Sequence, residues 1–293
     1  MISTVSKPPA APKSATRNAC RLCAPLGACL AFRGVEGAVP LLHGSQGCAS
    51  YIRRYMISHF REPLDIASSS FGEEAAILGG RENLRNAIEN VVRQYAPRLI
   101  GIATTCLAET IGDDVSMYLH EILGGDRRIF AGKCGGLPEV VHVSTPSYSA
   151  SHEEGFQAAL LALVKTLAEQ GPCHDAVNVI APMVSPADLR FLKTLFRDFG
   201  LEPILLPDYS DTLDGPAWTE YQRIPPGGTP VDAIRRMGSA RATIEIGSIR
   251  HRSQTAGGFL EEQFGVPCHE LPLPVGVTQT DRLVEVLQDL SAR

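Results

Sequence analysis

The chain has 293 residues, 44% of them hydrophobic and 20% charged, with a formal net charge of -5 at pH 7. This is the composition of a globular protein long enough to bury one large core or two α/β domains, and it excludes wholesale disorder. The mild acidity disfavours nucleic acid as a partner, and Lys, Arg, Glu, Gly or Pro interrupts every apolar run before the roughly 18 to 20 residues that would cross a bilayer.

Residues 1–17, MISTVSKPPAAPKSATR, are basic and rich in Pro and Ala. They lack the apolar centre of a secretory signal and read as a disordered arm available to wrap a partner. Eight unevenly spaced cysteines without such a signal point to a reducing, cytoplasmic compartment, where thiols are core residues, catalytic groups or metal ligands.

Beyond the arm, apolar β-rich runs alternate with helical patterns. Helices are expected near 24–33, 48–57, 82–95, 108–122 and 153–169, and strands over AVPLLHG (38–44), RLIGIATT (98–105) and VVHVST (140–145). The break AEQGPCHDA, with Gly171 and Pro172 stopping the preceding helix, divides a unit over 18–171 from a second over 172–293. The second unit reads as strand AVNVIAP, helix PADLRFLKTLFRDFG, strand EPILLPD, strand ATIEIG and terminal helix TDRLVEVLQDLSAR. A long polar loop, 208–230, lies inside it and points to a functional or interface role. The predicted class is therefore α/β, with Rossmann-like parallel sheets and flanking helices in two domains. No fixed-period repeat is visible, although the halves are compatible with a related topology.

Ligands of such sheets gather beyond the carboxyl ends of the strands, where crossovers turn into helices. Three cysteines stand where helices are expected to begin: Cys23 in CAPLGA, Cys48 after HGSQG and Cys106 after LIGIATT. There a thiolate gains from the partial positive charge of the helix start, which eases deprotonation, and soft iron or zinc takes such ligands. Gly27, Gly44, Gly47 and Gly112 offer close backbone approach, and Thr104 and Thr105 could donate hydrogen bonds toward sulfur. For each cysteine alone, core packing is an equal competitor. Cys20 and Cys23 form a Cys-x-x-Cys pair that could be half of a four-cysteine zinc site, but Cys48 and Cys106 stand 25 and 83 residues beyond Cys23 and supply no second short pair. Cys29, Cys134, Cys173 and Cys268 read as packing residues.

The ordered motifs CAPLGA, HGSQGC, HFREP, TTCLAETIGDD and TPSYSASHEEGF resemble the beta-type chain of nitrogenase component 1 and its nitrogenase-like relatives, from about Asn18 to Phe156 and more weakly beyond. The resemblance implies a homologous alpha-type partner, an alpha2beta2 heterotetramer and an ATP-dependent iron protein as electron donor. It also implies a P-cluster-type iron-sulfur cluster, 8Fe-7S, shared at the subunit interface, with a single 4Fe-4S cubane as the smaller form. By motif position Cys23, Cys48 and Cys106 would be the ligands on this side, and Ser147 the serine that can join the oxidised cluster. Tyr51 resembles the aromatic residue between the reductase docking face and the cluster; a core tyrosine is the competing reading. His59, Arg61, Glu62 and Pro63 read as structural, and Glu109, Asp113 and Asp114 as carboxylates placed by the helix dipole.

Two features depart from the family pattern. Members normally carry three Rossmann-like domains, whereas this chain ends after what reads as the second. The same branch also includes a scaffold chain for nitrogenase cofactor assembly, whose familiar members commonly lack the cysteines at 23 and 106. Retention of both favours a reductase subunit, with the scaffold as the alternative. The substrate stays open, because the family extends to enzymes such as methylthio-alkane reductase.

Overall fold

The computed structural model describes residues 22–60, 65–125, 137–211 and 227–292. The expected arm, Cys20, the loop residues 61–63, Cys134 and most of the 208–230 loop lie outside the described residues.

The first unit runs α1 (Ala24–Arg33), β1 (Ala38–His43), α2 (Gln46–Phe60), β2 (Ala67–Ser68), α3 (Glu73–Leu78), α4 (Arg81–Tyr95), β3 (Leu99–Thr104), α5 (Cys106–Ile111), α6 (Val115–Gly124), β4 (Glu139–Val143) and α7 (His152–Leu167). The second runs β5 (His174–Ile180), α8 (Pro186–Asp198), β6 (Pro203–Leu206), α9 (Val231–Arg236), β7 (Ala240–Ile246), α10 (Ala256–Phe264), β8 (Cys268–Leu271) and α11 (Val277–Ser291). Among the described residues the strands form two all-parallel sheets, ordered β2-β1-β3-β4 and β6-β5-β7-β8. The two halves thus share one strand order, and the α/β class expected from the sequence is the class observed.

Parallel sheets are covered on both faces, so their central strands can be apolar throughout. AVPLLH and LIGIAT meet that demand, with every residue of β1 and β3 buried. On α4 the buried residues Leu84, Ala87, Ile88, Val91 and Val92 recur at helical spacing, leaving a polar outer face. All ten residues of α1 are buried, which matches its nearly uncharged sequence.

α1 lies against α7 at backbone contact. A Cβ at Gly27 would stand 1.7 Å from the His152 carbonyl oxygen, and one at Gly155 would stand 2.0 Å from that of Ala24. The two glycines interlock the helices, so Gly27 serves helix packing rather than approach to a ligand. At the far end of α1 the Gly34 carbonyl accepts from Asp208 N-H at 3.0 Å and Thr229 N-H at 2.8 Å, tying this helix to the second sheet. We propose 18–171 and 172–293 as the two domains, one per sheet, although one apolar core runs through both, from Leu26 to Leu290.

Several elements differ from expectation. The helix expected over 108–122 is two: Gly112 ends α5 in the left-handed conformation at φ 75°, and the Asp114 side chain opens α6 by accepting from Met117 N-H at 2.9 Å. Gly171 and Pro172 do not stop α7, which ends at Leu167 as Ala168 turns to extended geometry. The short elements β2, α3, α9, α10 and β8 have no counterpart in the sequence reading.

Candidate metal centre

In the first sheet the strand order reverses between β1 and β3, and the crevice beyond their carboxyl ends is where such sheets bind ligands. The loops leaving these two strands carry Cys48, in the first turn of α2, and Cys106, the first residue of α5. Cys23 is the N-cap of α1, held by an antiparallel bridge to Ser151, whose side chain caps α7 in a reciprocal box with Glu154. Ser147, on the loop after β4, lies beside the Cys23 thiol and favours its ionised form. The three thiols lie near enough to influence one another: Cys48 feels both Cys23 and Cys106, and Cys23 feels Cys106. Four positions singled out in the sequence therefore converge, although up to 124 residues of sequence, 147 minus 23, separate them.

For Cys23 and Cys48 the expectation of easy deprotonation is corrected. Burial raises the pKa of Cys23 and outweighs the opposing bonds from Leu26 N-H and the Ser147 hydroxyl. Burial also raises Cys48, the charges of Cys23 and Cys106 add to the rise, and the Thr105 hydroxyl opposes it. Thr105 Oγ1 is buried and has no hydrogen-bond partner among the described residues. Thr104 does not face the thiols; its hydroxyl donates to Glu109. A bound metal would displace the thiol protons and remove the like-charge penalty, so binding here couples to proton release.

Among the described residues, no three or more Cys, His, Asp or Glu side chains converge on a point that could hold one metal ion. The three thiols do not form a mononuclear zinc site within this chain, whereas a multi-iron cluster takes thiolates spread around a larger body and can share them with another chain. The donor set, three grouped thiols beside one serine hydroxyl, fits such a cluster. Of the other cysteines, Cys29 is fully buried and its thiol is pushed far up by burial. Cys268 is buried against Glu245 and pushed up to about 12. Cys173 is exposed, so its packing reading is corrected.

A polar layer that the sequence reading missed lies behind the cysteines. Asp113 is a buried acceptor for Gly80 N-H at 3.0 Å, His43 Nε2 at 3.1 Å and the Tyr118 hydroxyl at 3.3 Å. Burial lowers the His43 pKa, so the neutral ring donates from Nε2 to the carboxylate. Glu109 accepts from the hydroxyls of Thr104 and of Ser144, the latter at 2.5 Å. Both carboxylates join elements rather than merely facing a helix start; Asp114, by contrast, does cap its helix.

His142, on β4, titrates far down, at about 4, because burial and the neighbouring His43 outweigh the pull of Glu109 and Asp114. Its folded pKa lies below the ordinary 6.5, so the unfolded chain binds the extra proton between pH 6.5 and about 4. Stability from this group is present above 6.5 and is lost as pH falls through that window. His142→Gln is expected to flatten the fall of the urea midpoint between pH 6.5 and 4; an unchanged slope would assign the acid loss to other groups.

The family sequence model described as Nitrogenase component 1 type Oxidoreductase matches residues 23–293. The chain belongs to that family. The nitrogenase molybdenum-iron protein beta chain of Clostridium pasteurianum is 36% identical over 280 residues, 94% of this chain and 59% of that protein. The nitrogenase iron-molybdenum cofactor biosynthesis protein NifN of Bradyrhizobium diazoefficiens is 35% identical over 96% of this chain and 59% of its own length. The solved structure described as Nitrogenase Cp1 at pH 6.5 superposes with a TM-score of 0.86 at 35% identity, covering 97% of this chain and 60% of that one. This nitrogenase component 1 family chain thus spans about three fifths of the length of the relatives it matches.

Around the cysteines of this family member the surface is aromatic. Tyr51 and Tyr55, four residues apart on α2, are 62% and 53% exposed, and Tyr148 beside Ser147 is 68% exposed. The core reading of Tyr51 is thereby excluded. His59 is exposed on the same helix and lines a cavity of about 570 Å³ with Tyr55, Leu26 and His152. Gly44, at φ 144°, seats its α-carbon against Thr105, where a Cβ would stand 1.8 Å from Oγ1. A Cβ at Gly47 would meet only the Ser45 hydroxyl, at 3.8 Å, and Gly112 supplies a turn rather than an approach to sulfur. Among the described residues no helix is long and apolar enough to cross a membrane.

Proposed function

We propose that this chain is the beta-type subunit of a nitrogenase-like reductase and contributes Cys23, Cys48 and Cys106, with Ser147, to one side of a P-cluster-type iron-sulfur cluster. The observation that carries the reading is the convergence of those thiols at the switch point of the first sheet without closure around one ion. When bound, the cluster supplies reversible electron storage, at a potential set by burial and by hydrogen bonds to sulfur. The chain's own groups would do the holding and tuning: Thr105 and Leu26 N-H present donors to two of the sulfurs, and Ser147 presents a third. Tyr51, exposed on α2, would lie between a docked donor and the cysteines. A homologous alpha-type chain supplies the remaining ligands and the catalytic cofactor, an ATP-dependent iron protein supplies electrons in the cytoplasm, and two heterodimers join as alpha2beta2.

A second reading is favoured by the equally extensive similarity to NifN: a scaffold half on which a cofactor precursor is completed and released. Anaerobic co-purification with the alpha-type partner, followed by iron and sulfide analysis and electron paramagnetic resonance during stepwise oxidation, separates the two. A double-cubane signature that stays bound while the iron protein delivers electrons is expected. A single cubane, or a cluster that passes to a recipient protein, would establish the scaffold instead, and zinc without sulfide would exclude both.

A further inference from the structure

The ligand loops approach the site from different elements, and their common alignment needs a device. Cys106 begins α5, and three residues later, nearly one turn on and partly buried, stands Glu109. Its Oε1 accepts two hydroxyls, from Thr104 at the end of β3 and from Ser144 just beyond β4. The same junction is closed a second time: Thr145 N-H donates to Thr104 Oγ1 at 2.8 Å, and Thr145 Oγ1 donates to the Thr104 carbonyl at 2.6 Å. Thr145 is almost completely buried. Two residues further along this pinned loop is Ser147, beside the Cys23 thiol.

We propose that Glu109 is a positioning residue that locks the loop of residues 144–147 onto the Cys106 helix, so that Ser147 and Cys23 are held in register with Cys106. One carboxylate oxygen thereby joins three segments: the strand end before Cys106, the helix Cys106 begins, and the loop that brings a hydroxyl to the third thiol. A carboxylate suits this place because an ionised oxygen accepts two hydroxyl donors strongly. Placement by the helix dipole alone would leave Glu109 solvated and would not select Thr104 and Ser144 from separate strands. The idea rests on the proposed cluster only for its purpose; the alignment is a property of the metal-free chain.

The test is a proximity trap in the full-length, metal-free chain. Ser147→Cys places a thiol beside Cys23, and diamide, accepting two electrons and two protons, joins the pair as a disulfide. Peptide mapping by mass spectrometry reads the rate at which Cys23 links to the thiol introduced at position 147. Adding Glu109→Ala is expected to slow that link by about tenfold, because the two thiols lose their fixed orientation. Adding Glu109→Gln, which keeps an acceptor oxygen, should restore the rate to within about twofold of the parent.

Equal rates in the alanine variant and its parent would overturn the assignment, as would failure of the parent to link at all. The buried thiol of Cys29 is the control: if Glu109→Ala exposes it to alkylation, the residue serves the fold at large and the positioning role is wrong. Iron content of the co-purified complex judges the cluster reading separately, so the two failures are distinguishable.

Discussion

Gly27→Ala is expected to destabilise the chain by about 3 kcal/mol and to displace Cys23, more than any other single methyl group added in the first unit. The added carbon would stand 1.7 Å from the His152 carbonyl oxygen and 2.7 Å from Phe156 N, both backbone atoms that cannot rotate away. Relief requires sliding α1 along α7 or parting them. α1 is buried on all sides, so either movement opens contacts throughout the core. The thiol would move too, since Cys23 is the N-cap of α1 and pairs with Ser151 at the head of α7. The measurement is the urea midpoint of the full chain beside the iron content of its partnered complex, with Gly200→Ala as comparison. Gly200 has a positive φ of 72° but nothing within reach of a Cβ, so that variant carries backbone strain without a clash. Should Gly27→Ala unfold at the wild-type midpoint and keep its iron, the helices have slack, and close approach is not what fixes Cys23.

The sheets were legible because a strand covered on both faces is largely apolar along its length, as AVPLLH and LIGIAT are but for their last residues and ATIEI is but for Thr243 and Glu245. α4 and α7 were legible from helical spacing of apolar residues. The division between α5 and α6 was written in IGDD, where a glycine that can turn left-handed precedes an aspartate that can cap, but the apolar pattern continues across it and hid the break. β2 and β8 are too short to show a period. For the site, position at expected helix starts picked out Cys23, Cys48 and Cys106, and motif resemblance added Ser147. The polar layer behind them was not legible: the partners of Glu109, Asp113 and His43 come from other strands and helices, and no local pattern announces them. The pKa direction was misread for a related reason, since helix-start charge is local whereas burial is decided by the whole packing.

Cys48→Ala and Cys106→Ala are each expected to abolish the cluster signal of the partnered complex while leaving the two chains associated. Even loss of an outer partner costs metal sites roughly 10- to 100-fold in affinity, and a missing thiolate is the larger defect. Among the described residues there is no spare sulfur to substitute. Cys29 is sealed in the core, and Cys173 and Cys268 belong to the second unit, respectively exposed before β5 and buried beside Glu245. Folding should survive both changes, because Cys48 and Cys106 are only partly buried and lie at the starts of helices, where alanine is tolerated. Each variant loses only a partly buried side chain, so the metal-free chain should keep close to the wild-type urea midpoint. Cys268→Ala reverses the pattern: a buried side chain is lost, stability falls by about 1 kcal/mol, and iron is unchanged. Iron, sulfide and paramagnetic resonance on the complexes, beside urea midpoints of the isolated chains, read both quantities. Equal loss of iron from all three would mean that these cysteines act through packing, whereas iron retained in both Cys48→Ala and Cys106→Ala would place the cluster elsewhere.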